Sequence, residues 1–213
     1  DFRASLGFES TEGPIAAALA AEDYSEIVIL GYTRSDLQDH APTPACADLA
    51  TRLAAIHAAN QQHDRGVTND FISTFANTPA AHEHYLRWLE AQLQKFGRHS
   101  CISLKSETLR ELNDSEGIYA CAMRALDFVA KAAGEKLVTL YLSPGTPVMA
   151  FMWALAALAH PHLKKRLIVS PVVGKPPEAI ALPAEWLERH GASQTAIGNV
   201  HEGFAVTYHL FGE

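Results

Sequence analysis

Residues Leu137–Ser170 constrain the fold of this chain more than any other stretch, because they read as one complete β-turn-α-β unit. Leu137-Val-Thr-Leu-Tyr-Leu142 is an apolar run of strand length, Val148–Ala159 is apolar all round and of helical length, and Arg166-Leu-Ile-Val-Ser170 is a second apolar run. Strands apolar on both sides belong in a parallel sheet that is covered on both faces. The turn Ser143-Pro-Gly-Thr-Pro147 then falls at the carboxyl end of the first strand. In open parallel sheets, that end is where ligands bind.

The turn has a local logic. Thr146 is placed to cap the helix by accepting a hydrogen bond from a backbone N–H further on. Pro147 suits the first helical position, where a missing N–H costs nothing. Gly145 lacks a side chain and lets another group come close to the backbone. Ser143 and Thr146 add hydroxyls. Such a helix N-terminus favours phosphate or another anion. A well-capped turn without a ligand satisfies the same pattern, since neither a GxGxxG nor a GxxxxGK run is present.

Composition narrows the classes. The chain has 213 residues, which suits one sizeable domain or one domain with an appendage. Hydrophobic residues make up 48%, enough for a core, and the formal net charge of -7 argues against broad nucleic-acid binding, which needs a basic face. Cys46, Cys101 and Cys121 form neither a CxxC nor a zinc pattern, so a reduced, cytoplasmic setting is expected. No membrane association is expected, because the uncharged run Leu137–Ala159 is interrupted by its Ser-Pro-Gly-Thr-Pro turn. No signal peptide is read, and the start at Asp1 suggests a fragment of something longer.

Along the chain, Gly13–Ala21 reads as a short helix and Glu26–Tyr32 as a buried strand ending in the polar turn Thr33–Asp39. Pro44–Asn60 has Leu49, Leu53 and Ile56 at helical spacing, and Gln61–Pro79 reads as irregular. Ala80–Phe96 is an amphipathic helix, Ser100–Lys105 a short strand and Asn113–Ala133 a further helix. Beyond Val172 the character changes. Ala184–His190 reads as a helix turn or two, and Gly203–Phe211 alternates in the manner of an edge or hairpin strand. The expected fold is α/β, a Rossmann-like open parallel sheet with helices on both faces and a first strand missing before Asp1. The expected division is a sensor-like domain over 1–173 and a C-terminal extension over 174–213.

Strand, Ser143-Pro-Gly-Thr-Pro-Val-Met149, helix with Trp153, strand resembles the ligand-binding signature of CARF (CRISPR-associated Rossmann fold) domains. The variant is similar to the sensor domains of sigma-54-dependent regulators, such as the activator of the RNA-repair operon. Asp1-Phe-Arg-Ala4, Gly13-Pro-Ile15 and Leu112-Asn-Asp-Ser-Glu-Gly-Ile-Tyr119 fit other segments of that subgroup. Pro147 stands where many members carry a phosphate-binding lysine. The resemblance implies a homodimeric sensor in antiviral defence or transcription regulation. It would bind a cyclic oligoadenylate, or a related RNA-derived nucleotide, across its two-fold axis and switch a fused or partner effector. It also implies a pocket floor of Ser143, Pro144, Gly145, Thr146 and Pro147. Met149, Thr33, Arg34 and Arg3 are the further candidate ligand contacts.

The same residues admit competing readings. His82-Glu-His84 and His160-Pro-His162 are the tightest histidine pairs, but residues two apart on a helix point in different directions, and no metal or other cofactor is expected. Serine hydrolysis at Ser143 lacks the Gly-x-Ser-x-Gly elbow, and Pro144 lacks the N–H an oxyanion hole would use. The enzymatic alternatives are a ring nuclease, which cleaves its own cyclic oligoadenylate, and a Rossmann-type nucleotide enzyme. A third alternative is a sensor of RNA 2′,3′-cyclic phosphate ends that controls sigma-54-dependent transcription.

Overall fold

The computed structural model describes residues 2–6, 13–34, 51, 54–56, 58, 75–76, 78–133, 137–170 and 175–181, and the backbone of 203–209. The elements are α1 (Phe2–Ser5), α2 (Pro14–Ala21), β1 (Glu26–Arg34), α3 (Pro79–Lys95), β2 (Cys101–Leu109), α4 (Ser115–Ala133), β3 (Leu137–Tyr141), α5 (Pro147–Leu158), β4 (Lys165–Val169), β5 (Glu178–Ala179) and β6 (Gly203–His209). They form a mixed α/β structure around one sheet of strand order β2-β1-β6-β3-β4-β5. The pairs β1–β2, β1–β6, β6–β3 and β3–β4 are parallel, and the two-residue β5 runs antiparallel beside β4.

Alternation along the strands sends side chains to two separate cores. Val28, Leu30 and Tyr32 of β1, with Val138 and Leu140 of β3, pack against Ile118, Leu126 and Val129 of α4 and Met149 and Trp153 of α5. Ile27 and Ile29 of β1, with Tyr141 and Ile168, pack against Ile15 and Leu19 of α2 and Tyr85 and Leu89 of α3. So α4 and α5 cover one face, and α2 and α3 the other.

Local chemistry sets the helix starts. Thr78 caps α3, its hydroxyl accepting from Ala81 N–H at 3.2 Å and donating to Phe75 C=O at 2.8 Å. The Asp114 carboxylate accepts from Gly117 N–H at 3.1 Å ahead of α4, and Arg110 holds it by a side-chain pair at 2.8 Å. These bonds to its charged form keep the Asp114 carboxyl well below the usual carboxylate range.

Two expectations change, and α5 shows a face the sequence left open. Gly203–Phe211 reads as an edge or hairpin strand, yet Gly203–His209 pairs on both sides and lies inside the sheet. It fills the slot between β1 and β3. The helix apolar all round is not buried all round: Phe151 is 59% and Leu155 38% exposed. The strand expected over Ser100–Lys105 runs on to Leu109. Most of the Thr33–Asp39 turn, most of Pro44–Pro79, and all of Ala184–His190 lie outside the described residues.

Candidate functional site

Strand order marks the candidate position for a ligand. From β1 the chain passes through α3 on one face to β2, and from β3 through α5 on the other face to β4. The two crossovers lead in opposite directions, so the order reverses between β1 and β3. Ligands of open α/β sheets bind outside the carboxyl ends of the strands at such a reversal. The Ser143–Pro147 turn follows β3 there, while Thr33 and Arg34 end β1. Because β6 lies between them, β1 and β3 are two strand spacings apart, about 10 Å, and the register sets Tyr141 level with Ile29, so β1 runs on five residues past the end of β3.

The turn has the capping geometry its sequence predicts. Gly145 adopts φ 109°, a left-handed backbone that favours glycine. Thr146 is extended, and its hydroxyl accepts from Met149 N–H at 3.3 Å. Accepting leaves the Thr146 O–H proton to donate. Pro147 opens the helix. Gly145 and Pro147 are exposed, Ser143 and Thr146 half-buried, and Pro144 buried.

The supply of backbone donors is small. Pro147 has no N–H, Met149 N–H goes to the cap, and Ala150 N–H goes to Thr146 C=O at 3.1 Å. Val148 is the remaining N–H of the first turn. With the N–H groups of Gly145 and Thr146 and the Thr146 hydroxyl, it is among the donors this helix start could offer an anionic group.

The remaining candidates divide. Met149 does not face the crevice: it is fully buried between α5 and the sheet, where an apolar side chain is most stable. Thr33 is buried and turned to the neighbouring edge strand, its hydroxyl donating to Glu107 C=O at 3.3 Å and meeting Thr108 Oγ1 at 3.1 Å. It therefore braces β1 to β2 instead of lining the crevice. Arg34 ends β1 opposite Leu109, and Arg3 lies in α1. The side chains of both lie outside the described residues.

Two hydroxyl residues were missed. Tyr141 and Ser170 meet at the carboxyl ends of β3 and β4, and Ser170 N–H donates to the Ser143 hydroxyl. Counting on from the register Tyr141↔Ile168 places Ser143 beside Ser170. That signal exists in sequence only once the two strands are aligned.

His84 and His160 of the two pairs have protein partners. His160 Nδ1 meets Ala156 C=O at 2.8 Å and Nε2 meets Asp127 at 3.1 Å, while His84 meets Ser5 C=O at 2.9 Å. Among the described residues there is no group of three or more side chains suited to a metal ion, and no helix is long and apolar enough to cross a membrane. Comparison of the chain with protein-family models and with curated proteins gives no match to either.

Proposed function

We propose that this chain is a ligand-sensing domain of Rossmann-like, CARF-type architecture that binds a cyclic oligoadenylate or related RNA-derived nucleotide at the Ser143–Pro147 turn. The observation that carries the reading is the left-handed Gly145 followed by the Thr146-capped start of α5, set at the reversal of strand order. A helix N-terminus at that place attracts a phosphate without needing a basic surface. That matters in a chain of net charge -7. The ligand class comes from the resemblance of the turn sequence, and the geometry supports an anionic group of phosphate size.

The domain acts as a homodimer in this reading, and the ligand bridges two copies of the turn. The exposed Phe151 and Leu155 give α5 an apolar outer face of the kind a second copy covers. Binding then switches a fused or partner effector by favouring one arrangement of the dimer. The turn hydroxyls serve as donors to phosphate, so the proposal is a binder and not a nuclease.

Calorimetric titration with cyclic tri-, tetra- and hexa-adenylate, and with short RNAs ending in a 2′,3′-cyclic phosphate, tests the reading. One ring bound per dimer, with affinity lost in Gly145→Val, supports it. Binding of the RNA ends alone moves the function to RNA-damage sensing, and shortened products after incubation make the domain a ring nuclease. Binding of none of these ligands removes the ligand class.

A further inference from the structure

A line of hydroxyls crosses the carboxyl edge of the sheet from the turn to α2. Ser170 N–H donates to Ser143 Oγ, Ser170 Oγ meets Tyr141 Oη, and Tyr141 O–H donates to Pro14 C=O at 3.1 Å. A hydroxyl has one proton to give. Tyr141 gives its own to Pro14, so Ser170 is the donor between Ser170 and Tyr141.

Both ends of the line are informative. Pro14 is the first residue of α2, whose N-cap Gly13 has no side chain with which to cap. Tyr141 donates to the Pro14 carbonyl, which anchors the start of α2 to the sheet but supplies no acceptor for the uncapped N–H groups of that turn. At the other end, Ser143 opens the turn that leads to α5 on the opposite face. Tyr141 is 3% exposed, so leaving its hydroxyl without a partner is costly.

We propose that Tyr141 and Ser170 are positioning residues for the Ser143 turn, tying it to the first turn of α2 so that occupancy of the turn alters the hold on that helix. The inference rests on the ligand reading of the turn given above. It adds α2 as the element through which binding is felt on the other face. Tyr141 and Ser170 themselves need not touch the ligand.

The test measures backbone hydrogen exchange in the whole chain without ligand, over residues 15–21 and 145–150, in Tyr141→Phe, Ser170→Ala and Ser170→Thr. Loss of one such hydrogen bond is expected to raise exchange about five-fold in both segments for Tyr141→Phe and Ser170→Ala. Ser170→Thr, which keeps the hydroxyl, is expected to restore the protection. Faster exchange confined to residues 15–21 would make Tyr141 a helix clasp only and overturn the proposal. Unchanged exchange in both segments would overturn it equally.

Titration with cyclic tetra-adenylate supplies the second readout. If the wild type binds, Tyr141→Phe is expected to weaken affinity about five-fold and to lower the thermal midpoint by about 2–4 °C. Unchanged affinity would overturn the positioning role. If the wild type does not bind, the ligand reading fails for that ring, and the exchange measurement still decides whether the turn and α2 are tied.

Discussion

Acidification should weaken this fold through one histidine. His82, near the start of α3, is 1% exposed and packs its ring on Gly31 of β1. The fit is close enough that a Cβ at Gly31 would stand 2.4 Å from His82 Nδ1. Burial pushes the imidazole down from its ordinary 6.5 to about 4, against a weaker opposing hydrogen bond with the Tyr32 backbone. The unfolded chain therefore takes up the proton more readily than the native one. The stability tied to neutral His82 is complete above pH 6.5 and is lost as pH falls toward about 4. The gap of about 2.5 pH units converts, at about 1.4 kcal/mol each, to about 3 kcal/mol, of which about 2 kcal/mol is gone by about pH 5. Urea unfolding followed by circular dichroism between pH 7.5 and 5 measures the loss. The chain has 11 histidines, so the comparison with His82→Leu isolates this one. The variant should lose about 2 kcal/mol less than wild type across that range. Parallel pH profiles for the two proteins, or a His82 ring resonance titrating near 6.5, would refute the argument.

Other perturbations have definite signs. Gly145→Ala forces a side chain into the φ 109° backbone and should cost about 1 kcal/mol in urea unfolding. Asp114→Ala removes the bond to Gly117 N–H and should cost about 1–2 kcal/mol, with Asp114→Asn retaining most of it. Native-state alkylation near pH 8 should modify the exposed Cys101 and spare Cys121, whose thiol is buried and pushed up to about 12 by burial and the nearby Glu107 carboxylate. Mass spectrometry after brief iodoacetamide treatment reads the contrast.

What the sequence revealed depended on the range of the interaction. The Thr146 cap, the Pro147 start and the left-handed Gly145 are fixed by neighbours within a few residues, so the turn was legible. The strands at Leu137 and Arg166 were legible because both are short apolar runs bounded by breakers. Met149 was misplaced because α5 is apolar all round, and a helix with no polar face gives no sign of which side meets the sheet. Thr33 was misplaced because a hydroxyl at a strand end bonds sideways as readily as outward, and here β2 supplies the partners. The interior position of β6 was not legible. Its alternation of Phe204, Val206, Tyr208 and Leu210 encodes a strand but not its neighbours. Tyr141 and Ser170 lie 29 residues apart and meet only through strand register.

Charge provides a further discrimination at the crevice. A chain of net charge -7 repels an anionic ligand at long range, and salt screens that repulsion over about 10 Å at 0.1 M. In the proposed mode the attraction from Gly145, Thr146 and Val148 would come from N–H groups in direct contact and be confined to the first helical turn. Salt should therefore weaken the repulsion more than the attraction. Binding of a cyclic oligoadenylate should hold or strengthen between about 50 and 200 mM salt, opposite in sign to a site built on lysine and arginine. Titration at both salts gives the sign directly. A steep loss of affinity with salt would mean that cations hold the phosphates, and Arg3 and Arg34, one in α1 and one ending β1, would then replace the α5 turn as the principal ligand contacts.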